Sequence, residues 1–263
     1  IEKVFIENQP QFVFHAAAYK HVPIQELHPW AAVKINVGGT SNILDTCATY
    51  GIKKIIYLSS TTVYGAHPNN PQVFTENSPI RPNKGFQYSE DKAEAETRIK
   101  SFLLSHSKTN ATILRSCPVI GPNANNFISN AFLKPLLISV KGYDPPMQFI
   151  HEDDLTDILY KCVIDDIPGL YNIAGNDFVL WSEVGKILKR MTISLPTKLL
   201  YTVTEILWLL RLQSQSTSSG LNLIKYPWIA STDKIRSAFG IKFEYSSKQS
   251  LESLYYRLSK RIN

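Results

Sequence analysis

Two side chains with complementary acid–base properties, Tyr88 and Lys92, lie four residues apart in a segment rich in Ala, Glu and Lys. That spacing places both on one face of a helix. A phenol with a pKa near ~10 is a poor base at neutral pH, and a nearby ammonium group favours the phenolate. The pair therefore predicts a proton acceptor for a substrate hydroxyl, and Ser60 is placed to hold the substrate oxygen.

On a surface helix, a pair at this spacing stabilises the helix by only roughly a few tenths of a kcal/mol and has no catalytic role. The surrounding secondary structure is therefore needed to judge whether the pair is catalytic. Hydrophobic runs predict strands over residues 12–18, 53–60 and 110–116, each ending in small or polar residues. Helices are predicted over residues 29–50 and 88–105. Alternating strands and helices favour a parallel sheet, which binds ligands at the carboxyl ends of its strands.

We therefore predict an α/β fold in which a doubly wound, parallel, Rossmann-like sheet joins a smaller C-terminal substrate-binding lobe. We expect a partial dinucleotide-binding domain to consist of residues 1–118 together with residues 147–175, which return to it. The substrate-binding lobe is expected to consist of residues 119–146 and 176–263. The apolar stretch 195–212 is expected to be a core helix of this lobe. An interfacial helix or a wall for an apolar substrate is the alternative.

Composition indicates a folded protein, since 44% of its 263 residues are hydrophobic and 19% are charged. The net charge of +6 comes from dispersed Lys and Arg residues, so we expect no nucleic-acid partner, although weak contact with a membrane surface is compatible. The odd set Cys47, Cys117 and Cys162 predicts buried, reduced thiols and a cytoplasmic location.

Four consecutive polar residues, His151 to Asp154, resemble a metal-binding cluster at first sight. Adjacent residues at a strand-to-helix junction do not converge on one ion, so no metal site is predicted. Asp153 or Asp154 is instead expected to cap a helix that runs to about residue 163, and Ser182 to cap a later one.

The catalytic segments resemble those of extended short-chain dehydrogenases/reductases, the NAD-dependent epimerase/dehydratase family that contains UDP-galactose 4-epimerase and sugar-nucleotide dehydratases. Six blocks resemble the family in order along the chain. They are HAAAYKHVP (15–23), NVGGT (36–40), SSTTVYG (59–65), YSEDK (88–92), RSCPVIGP (115–122) and QFIHEDD (148–154).

The resemblance implies an enzyme that uses NAD or NADP, with Tyr88 as the base, Ser60 bound to the reacting oxygen, and Lys92 depressing the Tyr88 pKa. It also implies that Asn36 organises the catalytic site, and a homodimer is expected. The residues implied to contact the cofactor are Ala16, Ala17, Ala18, Lys20, Asn36, Ser59, Tyr88, Lys92 and Pro118.

Two departures from the family pattern bear on function. No Gly-rich phosphate-binding loop is present, so we expect the chain to be N-terminally truncated by roughly 60 residues and to bind cofactor poorly. The segment that separates NAD from NADP enzymes is missing as well. Cys117 replaces an Asn that contacts the sugar nucleotide in UDP-galactose 4-epimerase, and a thiol cannot make that amide contact.

Three hypotheses about function follow. The first is an epimerase or dehydratase that acts on a nucleotide sugar. The second is a dehydrogenase of a sterol-like or other apolar alcohol, similar to 3β-hydroxysteroid dehydrogenases, which Cys117 and the apolar stretch favour. The third is a catalytically silent nucleotide-binding protein.

Overall fold

The computed structural model describes residues 1–16, 28–213 and 216–262, without the side chains of residues 29 and 257–262. The helices are α1 (Glu2–Asn8), α2 (Pro29–Thr49), α3 (Gln87–Ser105), α4 (Phe127–Phe132), α5 (Glu152–Ile164), α6 (Trp181–Ile187), α7 (Thr197–Leu209), α8 (Asp233–Phe239) and α9 (Ser247–Ile262), with 3₁₀ turns at Thr61–Tyr64 and Ser218–Ile224. The strands are β1 (Phe12–His15), β2 (Lys54–Ser60), β3 (Asn110–Ser116), β4 (Val119–Ile120), β5 (Leu136–Val140), β6 (Pro146–Met147), β7 (Ile150–His151), β8 (Gly169–Ile173), β9 (Val179–Leu180) and β10 (Met191–Leu195).

The main sheet has the strand order β1-β2-β3-β8, and all three pairings are parallel. Successive side chains of a strand point to opposite faces, and both faces of this sheet are covered. Ile55 and Ile113 belong to a buried cluster with α2 and α3. Ile56 and Leu114 belong to a second cluster with α5 and α8. The predicted α/β, Rossmann-like parallel sheet is therefore confirmed.

The first strand differs from its prediction in length and burial. It spans only Phe12–His15, and Phe12 and Phe14 are each 41% exposed. Within the described residues β1 pairs only with β2 and so forms an edge of the sheet. Its side chains are therefore packed against fewer neighbouring residues than those of β2 and β3. Of the predicted cofactor contacts that follow this strand, Ala17, Ala18 and Lys20 lie outside the described residues.

The helix caps of the second half also differ from their predictions. The His151 side chain, not that of Asp153 or Asp154, caps α5, and its Nδ1 accepts the Asp153 N–H at 3.2 Å. The carboxylate of Asp154 is buried and accepts backbone N–H groups of a distant loop at 2.8 and 3.1 Å. For α6, the Glu183 carboxylate, rather than the Ser182 hydroxyl, accepts a backbone N–H at the helix start.

The apolar stretch 195–212 is not a core helix. Its first residue ends β10, and of the 13 residues of α7 only Leu200 is buried. Leu209 and Leu212 are 72% and 71% exposed. None of the described helices is long and apolar enough to cross a membrane. Contact with a membrane surface, the homodimer and the division into a domain and a lobe stay predictions.

Candidate active site

The carboxyl ends of β1, β2 and β3 and the start of α3 surround one cavity of about 230 Å³. It lies where a parallel sheet presents its strand ends, as the sequence predicts. Ser60, Tyr88 and Lys92 share its wall. The described residues that line it are Ala16, Leu58, Ser59, Ser60, Thr62, Phe86, Tyr88, Lys92, Ser116, Cys117, Pro118, Val119, Asn126, Phe127, Ile128, Leu223 and Trp228.

Ser60 is the last residue of β2 and caps the 3₁₀ turn that follows it. Its Oγ accepts hydrogen bonds from the Thr62 backbone N–H at 3.3 Å and from the Thr62 hydroxyl at 3.0 Å. The turn ends at Gly65, whose φ of +69° favours glycine. A Cβ at Gly65 would also overlap the carbonyl oxygen of Arg81. The turn therefore holds the Ser60 hydroxyl at the cavity wall.

Tyr88 lies in the first turn of α3, and its side chain forms a hydrogen bond with the Ser60 side chain. Burial raises the pKa of the Tyr88 phenol, and the bond to Ser60 only partly offsets that rise. The predicted depression of the Tyr88 pKa by Lys92 is therefore wrong for the protein alone. Desolvation penalises the phenolate more than the neighbouring groups favour it.

Lys92 is almost fully buried, with 8% of its surface exposed. Its ammonium donates to the Leu58 carbonyl oxygen at 2.7 Å and lies 5.0 Å from the centre of the Tyr57 ring. Burial lowers the pKa of Lys92 to about 8, although the nearby carboxylates of Asp91 and Glu96 act in the opposite direction. An ammonium has three donor hydrogens, so this group keeps donor capacity for a ligand in the cavity.

Asn36 is not one of the described residues that line the cavity. Its amide donates to the Asp91 carboxylate at 2.7 Å, which ties α2 to α3. The Asn36 backbone carbonyl oxygen accepts a hydrogen bond from the Thr40 hydroxyl at 2.6 Å, and that hydroxyl oxygen is 2.9 Å from His15 Nε2. Burial, followed by the charge of Lys92, lowers the pKa of His15 to about 4. Asn36 is thus linked to Asp91 and, through Thr40, to His15, and its organising role stays a prediction.

Ser59 lines the cavity, but its hydroxyl donates to the Glu96 carboxylate at 2.6 Å. Glu96 is fully buried and also accepts three hydrogen bonds from Arg115, at 2.7, 2.9 and 3.2 Å. Arg115 donates further to the Tyr64 hydroxyl at 2.8 Å. The predicted cofactor contact through the Ser59 hydroxyl therefore has a competing partner in the protein.

Sequence reasoning missed Glu96 and the apolar wall residues Phe127 and Leu223, which line the cavity beside Trp228. One signal for Glu96 was available, since it follows Lys92 by four residues and so lies on the same helix face. The wall residues come from α4, the second 3₁₀ turn and the loop after it, and nothing local in the sequence brings them together.

The cavity wall suits the nicotinamide end of a dinucleotide. Ala16, Pro118 and Val119 give the lining apolar groups against which a ring could pack, and Lys92 adds an ammonium with donors that ribose hydroxyls could accept. Cys117 lies beside them, and burial raises the pKa of its thiol, which stays neutral. Ala16, Lys92 and Pro118 line this cavity together with Ser60 and Tyr88, and the roles given to them from the sequence stay predictions.

The fold and this site define a class, α/β proteins in which a Ser, a Tyr and a Lys meet at the carboxyl edge of a parallel sheet. The model of the NAD dependent epimerase/dehydratase family matches residues 1–174. The chain belongs to that family.

Curated relatives are similar in sequence to parts of the chain. A Mycobacterium tuberculosis protein named only as uncharacterized is 25% identical over 197 residues, 74% of this chain and 52% of its own length. A UDP-N-acetylglucosamine 4,6-dehydratase (inverting) of Campylobacter jejuni is 46% identical over 61 residues, 21% of this chain and 18% of its own length. The chain therefore spans about half the length of the mycobacterial relative.

Solved structures share the fold. The UDP-glucose 4-epimerase of Thermotoga maritima, solved with UDP-glucose, has a TM-score of 0.75 at 18% identity, over 100% of this chain and 81% of that one. The enzyme of Bifidobacterium longum, solved with NAD+ and UDP, has a TM-score of 0.76 at 19% identity, over 100% and 80% of the two chains.

Proposed function

We propose that the protein is a nicotinamide-dependent enzyme that transfers hydride at a hydroxyl-bearing carbon, with Tyr88, Ser60 and Lys92 as its catalytic residues. One observation supports this most strongly. The Tyr88 and Ser60 side chains are hydrogen-bonded to each other in the cavity that Lys92 also lines. A substrate hydroxyl placed there reaches a proton acceptor and a second hydrogen-bonding group at once.

When bound, NAD or NADP accepts or returns a hydride at its nicotinamide ring. The residues of this chain that would hold its nicotinamide end are Ala16, Lys92 and Pro118, which fit that group as described above. Ser60 would fix the reacting oxygen, and Lys92 would bind ribose hydroxyls.

Tyr88 would move the hydroxyl proton. In the reductive direction its protonated phenol donates a proton to the carbonyl oxygen, and the raised pKa of Tyr88 suits that form. In the oxidative direction the phenol must first lose its proton. A positive charge brought into the buried cavity makes the phenolate less costly, so we expect oxidation to depend on a cation beside Tyr88.

Nucleotide sugars are the first substrate class to consider. The relatives named as dehydratases and epimerases carry UDP-N-acetylglucosamine, dTDP-D-glucose or UDP-glucose in their names, and this supports an epimerase or dehydratase. An apolar alcohol is the second class, which the lining of the cavity favours. A catalytically silent nucleotide-binding protein is the third possibility, and the hydrogen-bonded catalytic set argues against it.

Replacing Tyr88 by Phe tests the proposal, because it removes the proton-carrying hydroxyl and keeps the ring. Turnover is expected to fall by about 10²–10⁴-fold, with substrate binding retained. Tyr160→Phe, on the 64% exposed Tyr160, is the matched control and should keep full activity. Retained turnover in Tyr88→Phe would show that Tyr88 is not the base.

The same assay separates the reaction types. A dehydrogenase accumulates reduced cofactor, so the absorbance at about 340 nm grows with substrate. An epimerase or a dehydratase recycles its cofactor and yields an altered sugar with no net absorbance change. Absence of turnover with every substrate, at saturating NAD and NADP, would support the silent alternative.

A further inference from the structure

The apolar side chains of α7 face solvent instead of the protein. Leu199, Val203 and Ile206 in the helix, and Leu210 directly after it, recur at spacings of three and four residues, which places them on one helix face. Each of them is between 42% and 62% exposed. A surface helix normally turns such a stripe towards the core, so this outer stripe needs another explanation.

The opposite side of α7 is held to the protein by polar contacts. The Tyr201 hydroxyl donates to the side-chain oxygen of Asn222 at 2.7 Å. The Glu205 carboxylate accepts the backbone N–H of Ser218 at 3.2 Å, and Leu200 is buried. These contacts fix the rotation of the helix about its axis, so the outer stripe cannot turn inward without breaking them.

A second exposed apolar surface lies on the two-stranded sheet that leads into α7. Strands β5 and β10 pair in parallel, with Met191 opposite Leu136 and Ile193 opposite Ile138. These four side chains share one face because alternate residues of a strand point the same way, and they are between 39% and 69% exposed. Only Pro196 separates β10 from α7, so this face and the outer stripe follow each other directly along the chain.

The charges in these segments are nearly all positive. Residues 134–141 contain two lysines and no acidic residue, and residues 186–211 contain five lysine or arginine residues and one acid, Glu205. The Glu205 carboxylate is engaged on the inner side of α7. Three of the lysines are exposed, namely Lys134, Lys141 and Lys198. The exposed apolar side chains are therefore accompanied by cations.

We propose that this surface, the outer stripe of α7 together with the outer face of β5 and β10, docks on an anionic phospholipid bilayer. The apolar side chains enter the boundary between head groups and acyl chains, and α7 lies in the plane of the membrane. The cations lie among the anionic head groups, where each lysine or arginine strengthens binding by about fivefold. The proposal is independent of the reaction at the catalytic cavity.

A second copy of the chain suits this surface less well. A symmetric pair would place the same surface of both subunits face to face, and so would bring their exposed lysines together. Like charges across an interface oppose association, and the net charge of +6 adds repulsion between the copies. An anionic bilayer is attracted by the same cations.

Co-sedimentation of the full chain with vesicles measures the binding. Vesicles of phosphatidylcholine and phosphatidylserine in equal amounts should bind the protein, and added salt should weaken that binding. Vesicles of phosphatidylcholine alone should bind it at least about tenfold more weakly, because they have no net negative charge. Equal binding to both kinds of vesicle, or binding to neither, would overturn the proposal.

The double variant Leu199→Gln/Ile206→Gln tests the outer stripe. Glutamine is a good helix former and both side chains are exposed, so the thermal unfolding midpoint should not change. Binding to the mixed vesicles should fall at least about tenfold, because two apolar side chains are lost from the membrane contact. The matched control is Leu104→Gln/Ile164→Gln, on 89% and 58% exposed residues of α3 and α5, which should bind like the unaltered protein.

Lys198→Glu tests the charges separately. An acidic residue is favourable in the first turn of a helix, so this variant should stay folded, and its binding to the mixed vesicles should fall by about tenfold or more. Lys108→Glu, on an exposed lysine in the turn before β3, is its control and should retain binding. Equal binding by the Leu199→Gln/Ile206→Gln variant and its control would refute the proposal. So would a dimer in sedimentation experiments that this variant alone disrupts, since a second copy would then cover the surface.

Discussion

The buried ammonium of Lys92 predicts a measurable pH dependence of the free energy of unfolding. The pKa of Lys92 falls from 10.5 to about 8 on burial in the folded protein. Between these values the folded state has released the proton and the unfolded chain still holds it. Since the unfolded state binds more protons there, stability rises with pH, and the penalty for burying the charge is fully present below pH 8.

The size of the effect follows from the shift. One pKa unit corresponds to about 1.36 kcal/mol, and the linkage relation gives about 2 kcal/mol of added stability from Lys92 between pH 7 and pH 9.5. Lys92→Met removes the titrating group. The difference in unfolding free energy between the unaltered protein and this variant should therefore change by about 2 kcal/mol over that range, in favour of the unaltered protein at high pH.

Denaturant unfolding at several pH values measures this difference directly. Lys108→Met removes a lysine that is exposed, and its curve should run parallel to that of the unaltered protein. If the Lys92→Met curve also ran parallel, within about 0.5 kcal/mol, Lys92 would not be titrating between the two values, and its assignment as a desolvated ammonium would be wrong.

Two further substitutions test the buried contacts that hold the candidate active site in place. Glu96→Gln leaves the buried guanidinium of Arg115 without its counter-charge and should lower the free energy of unfolding, measured with denaturant, by about 3–5 kcal/mol. The control Glu94→Gln removes one partner of an exposed ion pair and should lower it by less than about 1 kcal/mol. Equal losses of stability in the two variants would contradict the buried network. Gly65→Ala should destabilise the protein by more than about 1 kcal/mol beyond Gly142→Ala, because both glycines have positive φ but only Gly65 faces a clash. Similar melting midpoints for the two variants would show that the turn relaxes.

The alternation of hydrophobic strands and helices was enough to predict the parallel sheet. Burial on both faces gives β2 a continuous apolar run from Ile55 to Leu58, and β3 matches its predicted bounds of 110–116. The Tyr88–Lys92 spacing predicted a shared helix face because helical geometry is local. Both side chains line the same cavity.

Tertiary structure alone decided the environment of these residues. Desolvation depends on every atom packed around a group, so the raised pKa of Tyr88 was not accessible from its spacing to Lys92. The hydrogen bond from Ser59 to Glu96 joins residues 37 positions apart, and the apolar wall combines α4 with Leu223 and Trp228 from the far end of the chain. Sequence periodicity reports which face of an element is buried, whereas the groups that meet there are determined by how the elements pack.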